Sequence, residues 1–359
     1  MKIFFAIKSL HSTGGMERMT IIIANELLKR GYDVGIIGFA NEGKPFFEIL
    51  PKVNIFYLHD SKDKRMSLIR DASRRKLLKK IYQTEKPDVV IFVGSGRSML
   101  NIPAAKGFTT ITWEHFNANV NWHLLHPLSK LLAAKYCDKI VTLTHQDVKN
   151  YEQKYGAKNA VCIPNPITVN VLQKSTLTDK RVLAVGRLMP QKGFDLLIDA
   201  WSKVENRKNG WKLRIVGKGR MENELIEKIN HYSLQDSVEM VPFSNNVVEH
   251  YLQSSIFVMS SRFEGLPLVM IEAMATGLPI VSFDCETGPS DIIENNVTGI
   301  LVPPFDVNKL AYELDNLMND EKKRHLFAKN GIERSKLFDT ERIISKWGKL
   351  FDELKENKK

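Results

Sequence analysis

The sequence predicts an α/β protein made of two doubly wound parallel sheets. Three observations carry this. Short runs of Val, Ile and Phe alternate with helical stretches along the whole chain, the pattern of strands buried on both faces. The chain has 359 residues, room for two domains. The alternation also stops and restarts around Ile163-Pro164-Asn165-Pro166-Ile167, followed by a polar, irregular stretch to Asp179 that reads as a linker. The domains are therefore expected at 1–170 and 171–339.

In the first half, Lys2–Lys8 is predicted as a strand, Ser9–Gly15 as a loop and Met16–Arg30 as a helix ended by Gly31. Strands follow at Asp33–Phe39, Asn54–His59, Asp88–Gly94, Thr109–His115, Lys139–Thr144 and Ala160–Pro164. Ligands of such sheets bind beyond the carboxyl ends of the strands. Two features sit there. Gly14-Gly15 opens a helix, so backbone can approach a phosphate or sugar; taken alone, the pair also suits a flexible turn. It is not a G-x-G-x-x-G fingerprint, which argues against a dinucleotide and a dehydrogenase. Trp113-Glu114-His115-Phe116-Asn117 is a polar cluster after a strand. His115 is either a partner for a sugar hydroxyl or acceptor, or a structural histidine.

The second half repeats the scheme. Strands are predicted at Arg181–Gly186, Trp211–Val216, Val238–Val241, Ile256–Ser261, Pro279–Phe283 and Gly299–Val302, with a helix over Phe194–Val204, a short helix opened by Gly288-Pro-Ser-Asp291, and helices from Leu310 onward. Its focus is Ser261-Arg262-Phe263-Glu264-Gly265-Leu266-Pro267, between the strand Ile256–Ser261 and a helix over Leu268–Ala275 that ends at Gly277 and Pro279. Free amides at that helix start form an anion site. Glu264 precedes it and Glu272 lies within the helix, so one carboxylate can bond hydroxyls near the anion and the other a vicinal diol. A phosphate between two hydroxyl-bearing rings is what a nucleotide sugar presents. Arg187 and Lys192 share the loop after this half's first strand and suit a diphosphate, one as a planar fork and the other as a movable point charge. In isolation they also read as solvated loop charges, and a lone pair of glutamates at that spacing as a helix with ordinary flanking carboxylates.

Composition narrows the class. With 43% hydrophobic and 26% charged residues, the chain suits a globular protein with real cores. Cys137, Cys162 and Cys285 stand at no metal-like spacing, which argues for a reducing compartment. The apolar run after Lys2 stops at Lys8, too short for a signal peptide, and no stretch reaches the ~20 residues of a membrane span. A cytoplasmic protein is expected, peripheral on the inner face of the plasma membrane if it meets lipid.

The net charge of +11 is uneven: residues 1–172 hold 25 Lys and Arg against 14 Asp and Glu, and the remainder 27 against 27. Much of the excess lies in Lys62–Lys80, where apolar residues recur at roughly helical spacing. Such a segment is either an anionic-membrane contact or a crossover helix with a solvated face. Nucleic acid is not expected as a partner, because aromatics are not interleaved with the charge.

Arg187 with Lys192-Gly193, Glu264-Gly265-Leu266-Pro267 through Glu272-Ala273, Gly277-Leu278-Pro279-Ile280-Val281 and Gly299-Ile300-Leu301-Val302 together resemble the retaining family-4 glycosyltransferases. Gly14-Gly15-Met16-Glu17 and Glu114-His115 extend the resemblance over nearly the whole chain. It implies a GT-B fold, two Rossmann-like domains facing across a cleft: an acceptor-side domain, then a nucleotide-sugar-binding one, with the last helix, within 340–359, packing back on the first. It also implies roles. Arg187 and Lys192 neutralise the donor diphosphate. Glu264 bonds donor-sugar hydroxyls, with Gly265, Leu266 and Pro267 beside it. Glu272 bonds the ribose diol. Gly15 lines the phosphate side, and His115 lies near the transferred sugar or acceptor. Lys218 and Ser244 depart from the residue types common in the family near the base pocket, an acidic residue and a glycine, so the base stays open, with UDP favoured by family frequency. Asp284-Cys-Glu286 is a poor substitute for a D-x-D metal motif, and no metal or cofactor is expected.

The expected function is retaining transfer of a hexose or N-acetylhexosamine from a UDP-sugar to a lipid-linked glycan, in lipopolysaccharide, O-antigen or capsule synthesis. The alternatives are a nucleotide-sugar epimerase on the same frame and a non-catalytic basic membrane-binding protein. On the transferase reading, alanine at Glu264 or Arg187 abolishes transfer and leaves the fold intact.

Overall fold

The computed structural model describes all residues except 13, 40–42, 59–66, 122–123, 170, 244–245 and 357–359, and leaves aside the side chains of 67–70. It divides into two compact units, Met1–Asn165 with Thr340–Lys359, and Pro166–Asp339. The break falls at Asn165-Pro166, inside the proline-marked joint and five residues before the boundary drawn from the sequence.

In unit 1 the strands are β1 (Lys2–Ile7), β2 (Asp33–Gly38), β3 (Asn54–Tyr57), β4 (Val89–Val93), β5 (Thr109–Trp113), β6 (Lys139–Thr142) and β7 (Ala160–Cys162). They form one sheet in the order β3-β2-β1-β4-β5-β6-β7, with every pairing parallel. The helices are α1 (Gly15–Lys29), α2 (Ser67–Glu85), α3 (Ser98–Ala104), α4 (His126–Tyr136) and α5 (His145–Tyr155). α1 forms because Met19, Ile23 and Leu27 recur four apart and are buried together. α5 starts where the Thr144 hydroxyl accepts from the Asp147 amide.

In unit 2 the strands are β8 (Arg181–Val185), β9 (Lys212–Val216), β10 (Val238–Val241), β11 (Ile256–Met259), β12 (Ile280–Phe283) and β13 (Gly299–Val302). Their order is β10-β9-β8-β11-β12-β13, again all parallel. The helices are α6 (Phe194–Lys203), α7 (Glu222–His231), α8 (Val247–Leu252), α9 (Leu268–Ala275), α10 (Pro289–Ile292), α11 (Val307–Asn319) and α12 (Glu321–Ser335). Val182, Ala184, Ile215, Val258 and Val281 from the strands meet Leu197, Trp201, Leu310 and Leu314 from α6 and α11 in one core.

The last helix, α13 (Thr340–Glu356), belongs to unit 1. Its buried stripe is Ile343, Ile344, Trp347, Leu350, Phe351 and Leu354. Trp347 meets Trp113 edge-on at 5.3 Å, and Phe351 meets Tyr32 at 5.7 Å. The Arg30 guanidinium donates to the Glu341 carbonyl at 3.1 Å, and Lys139 pairs with Glu353 at 2.6 Å. A strand order that runs outward both ways from β1/β4 and from β8/β11 puts one switch point in each unit, where the following loops diverge and leave a crevice. Among the described residues no helix is long and apolar enough to cross a membrane.

Of the basic segment, 62–66 lies outside the described residues, as does Ser244. The rest is α2, a crossover helix that buries Arg74, Leu78 and Tyr82 and exposes Arg75, Lys76, Lys79 and Lys80.

Candidate functional site

The switch point of unit 2 gathers the loops after β8, β9, β11 and β12. Two glycines allow the closest approaches. Gly193 has φ +62°, and a Cβ there would stand 2.1 Å from the Ser260 carbonyl oxygen. Gly288 has φ +100°, and its Cβ would stand 2.5 Å from the Gly265 carbonyl oxygen. Only glycine suits such positions. The β8 and β11 loops are then stitched together. The Arg262 amide donates to the Gln191 carbonyl at 2.8 Å, and the Gln191 side chain donates to the Phe263 carbonyl at 3.1 Å. The Arg262 guanidinium forks onto Asp195 at 2.8 and 2.6 Å, holding the Asp195 carboxyl below its usual range although burial opposes this.

This clamp sets the next pair. Lys192 Nζ lies 2.6 Å from Glu264 Oε1, with both side chains largely buried. The Thr287 hydroxyl donates to the Glu264 carbonyl at 2.5 Å. The residues come from the carboxyl ends of β8 and β11, the two strands flanking the switch. Leu266 and Pro267 are buried behind Glu264, and Gly265 is half-buried. Pro267 is the N-cap of α9, one position ahead of the first-turn place assigned from the sequence, and no side chain caps that helix start. The amides of α9 therefore stand open to an anion. Arg187 is exposed on the same loop as Lys192.

Glu272, within α9, is 2% exposed. Its carboxylate accepts from the Tyr251 hydroxyl at 2.9 Å and from the Thr168 hydroxyl. So the structure joins Lys192 to Glu264 directly and sets Glu272 deeper along α9, already held by two hydroxyls of the type a ribose diol offers.

In unit 1 a pocket of about 560 Å³ opens at the β1/β4 switch point, lined among others by Lys8, Ser95, Arg97, Glu114, Phe116 and His126. Gly15 is the first residue of α1, with Gly14 as its N-cap. Glu114 is 2% exposed and accepts from the Tyr151 hydroxyl at 2.9 Å and from the Ser95 hydroxyl. Burial and the Glu114 charge push the Tyr151 pKa well up, so that hydroxyl stays a donor.

His115 is not among the pocket's lining. Its ring packs beside Trp113 at 4.3 Å, on the face that alternation along a strand gives to 113 and 115 but not to 114. Burial depresses its pKa to about 3, and His115 Nε2 is buried without a partner among the described residues. A neutral imidazole with an unspent nitrogen can bond a hydroxyl but cannot serve as an acid near neutral pH.

Two features escaped the sequence reading. Ser95 sits in Gly94-Ser95-Gly96, directly after β4; small residues closing a switch-point strand are a usable signal. Lys130 had none. It is fully buried, donating to the Ala118 and Val120 carbonyls at 2.8 Å each, and so fixes the loop after Glu114. Burial lowers its pKa.

Paired doubly wound sheets with a cation, a carboxylate and an open helix start at one switch point define the GT-B class of glycosyltransferase. Residues 13–171 match the family described as Glycosyltransferase Family 4, and residues 172–334 match Glycosyl transferases group 1. A Haemophilus influenzae protein named an uncharacterized glycosyltransferase is 35% identical over 351 residues, 96% of this chain and 98% of its own. The amylovoran biosynthesis glycosyltransferase AmsD of Erwinia amylovora is 30% identical, with 98% of this chain and 99% of its own covered. An α-1,4-N-acetyl-D-galactosaminyltransferase of Campylobacter jejuni, named for an undecaprenol-diphosphate-linked glycan, is 29% identical, with 99% of each covered.

Among solved structures, the lipopolysaccharide outer core galactosyltransferase WaaB superposes with a TM-score of 0.80 at 20% identity, covering 97% of this chain and 98% of its own. The Anabaena protein HepE in complex with UDP-glucose gives 0.80 at 18% identity, covering 98% and 100%. The chain belongs to the family-4 glycosyltransferases.

Proposed function

We propose that this glycosyltransferase moves a hexose or N-acetylhexosamine from a UDP-sugar to a lipid-linked glycan in bacterial surface polysaccharide synthesis, with retention at the anomeric carbon. One observation carries the donor side: Lys192 and Glu264 meet at the switch point of unit 2, beside the uncapped start of α9. HepE, crystallised with UDP-glucose, supports the donor class. AmsD supports the polysaccharide pathway, and the Campylobacter enzyme the lipid-linked acceptor.

In this reading Arg187, Lys192 and the α9 amides hold the diphosphate, with Gly265, Leu266 and Pro267 shaping that turn. Glu264 orients sugar hydroxyls, and Glu272 takes the ribose diol in place of the hydroxyls that now engage it. In unit 1, Gly15 offers a helix-start amide to phosphate, and the neutral His115 offers its free nitrogen to a sugar hydroxyl. As the C1–O bond breaks, positive charge develops at the sugar ring and negative charge on the leaving phosphate. The two cations stabilise the latter, and loss of one such group commonly costs ~10²–10³ in rate. The leaving phosphate takes the acceptor proton, so the new bond forms on the same face. The basic stretch Lys62–Lys80 is assigned to an anionic membrane surface.

The test is a panel of UDP-, GDP- and ADP-sugars with polyprenyl-diphosphate glycans, read by nucleotide release and by the anomeric configuration of the product. Acceptor-dependent UDP release with an α-glycoside from an α-donor is expected. Interconversion of the sugar without an acceptor would instead mean an epimerase.

A further inference from the structure

α4 has two unlike sides. It buries Ser129, Lys130 and Ala133 and turns Leu128, Leu131 and Lys135 outward. Leu124, just before the helix, continues that outward row at the spacing of one helical face. Leu124 is 95% exposed, Leu125 55%, Leu128 42% and Leu131 45%. Single exposed leucines are ordinary, but four within one short stretch form a patch that needs a partner.

The neighbours say which partner. α3 packs on α4, and α2 packs on α3, in one helical layer. α2 exposes Arg75, Lys76, Lys79 and Lys80, and Lys135 ends the leucine row. The whole excess of the chain's charge lies in residues 1–172. An apolar ridge beside a bank of cations fits an anionic bilayer, where leucines reach the acyl boundary and cations meet headgroups. A second copy fits less well, because a two-fold contact would bring together two units that each carry this cation excess.

We propose that α4, with Leu124 and Leu125 before it, seats unit 1 in the interface of an anionic membrane, and that the α2 cations hold it there. This rests on the reading of a lipid-linked acceptor and gives the membrane contact its apolar half, which the basic segment alone lacks. It also serves the site. His126, next to Leu125, lines the pocket at the β1/β4 switch point, so seating α4 carries that pocket to the surface where a lipid-linked glycan is presented.

The test is cosedimentation of the full-length chain with vesicles of phosphatidylglycerol and phosphatidylcholine in equal parts, and with vesicles of phosphatidylcholine alone. Wild type binds the anionic vesicles, and less so as salt rises. The variant carrying Leu124→Ser, Leu128→Ser and Leu131→Ser partitions at least about tenfold less, since each leucine withdrawn from water contributes. It keeps its Tm and its transfer to a water-soluble, short-chain acceptor. The variant carrying Lys76→Glu and Lys79→Glu loses the anionic preference.

Equal binding by the triple-serine variant overturns the role of α4 and leaves the acceptor reading standing. Failure of wild type to bind anionic vesicles overturns the membrane seat. A wild-type dimer that becomes monomeric in the triple-serine variant gives the face to a second copy and overturns the proposal. Absence of transfer to either acceptor by wild type strikes the transferase reading instead.

Discussion

At the scale of single residues, the Lys192–Glu264 pair separates variants that the sequence alone treats alike. Arg187 is exposed, so Arg187→Ala should cut kcat by ~10²–10³ and leave Tm unchanged. Glu264→Ala removes one member of a largely buried ion pair and strands Lys192; breaking such a pair costs ~3–5 kcal/mol when fully buried, and about half that is expected here. The expectation that both alanine variants leave the fold untouched therefore holds only for Arg187. Glu264→Gln keeps the shape and separates lost chemistry from lost stability; kinetics and thermal melts on the three variants check this.

His115 gives a pH test with a definite sign. Its folded pKa of about 3 lies below the unfolded value of roughly 6.5, so the unfolded chain binds more protons between them. The folded state's advantage is therefore full above that upper value and shrinks as pH falls toward the lower one. His115→Gln should flatten the fall of Tm between neutral and acid pH. An unchanged Tm–pH slope in the variant would mean that His115 does not carry that dependence. Residue types and loop positions at Arg187, Lys192, Glu264 and Glu272 were legible in the chain. Who touches whom was not, because Lys192 meets Glu264, and Glu272 meets Thr168, only through a sheet order that a linear pattern does not contain.

At the scale of elements, the strands were legible nearly to the residue, because buried parallel strands are short apolar runs punctuated by Gly, Pro and charge. The errors sit at their ends: Ser260 and Ser261 leave β11 to enter the loop that carries Glu264. Pro267 caps α9 where it was expected inside the first turn, and its ψ of 102° keeps it out of the helix. The loops depend on their glycines. Gly193→Ala and Gly288→Ala each add a Cβ against backbone and force an unfavourable positive φ; a loss of about 1–3 kcal/mol is expected, with activity falling further because the β8 and β11 loops part. α13 makes a second element-scale prediction. Trp347→Ala empties the contact with Trp113 and should cost ~3–5 kcal/mol in a denaturant melt.

At the scale of the whole molecule, two sheets of the same winding give two switch points with different equipment. Unit 2 offers cations, an open helix start and carboxylates, while unit 1 offers a pocket with Glu114, Ser95 and His126. Charge asymmetry between the halves was plain in composition. The leucine face of α4 was not, since its residues read equally well as core until the fold shows which side packs inward.

The central claim is that unit 2 grips a sugar nucleotide through Arg187, Lys192 and Glu264. Its most direct measurement is calorimetric titration of UDP-sugar into wild type and Arg187→Ala. The account predicts saturable binding by wild type, with a thermal stabilisation of ~2.7 kcal/mol at a hundredfold excess over Kd, and binding at least about tenfold weaker in the variant, as expected for a lost charge-assisted phosphate contact. Equal affinity in the two proteins, or no binding of any sugar nucleotide to wild type, would contradict it.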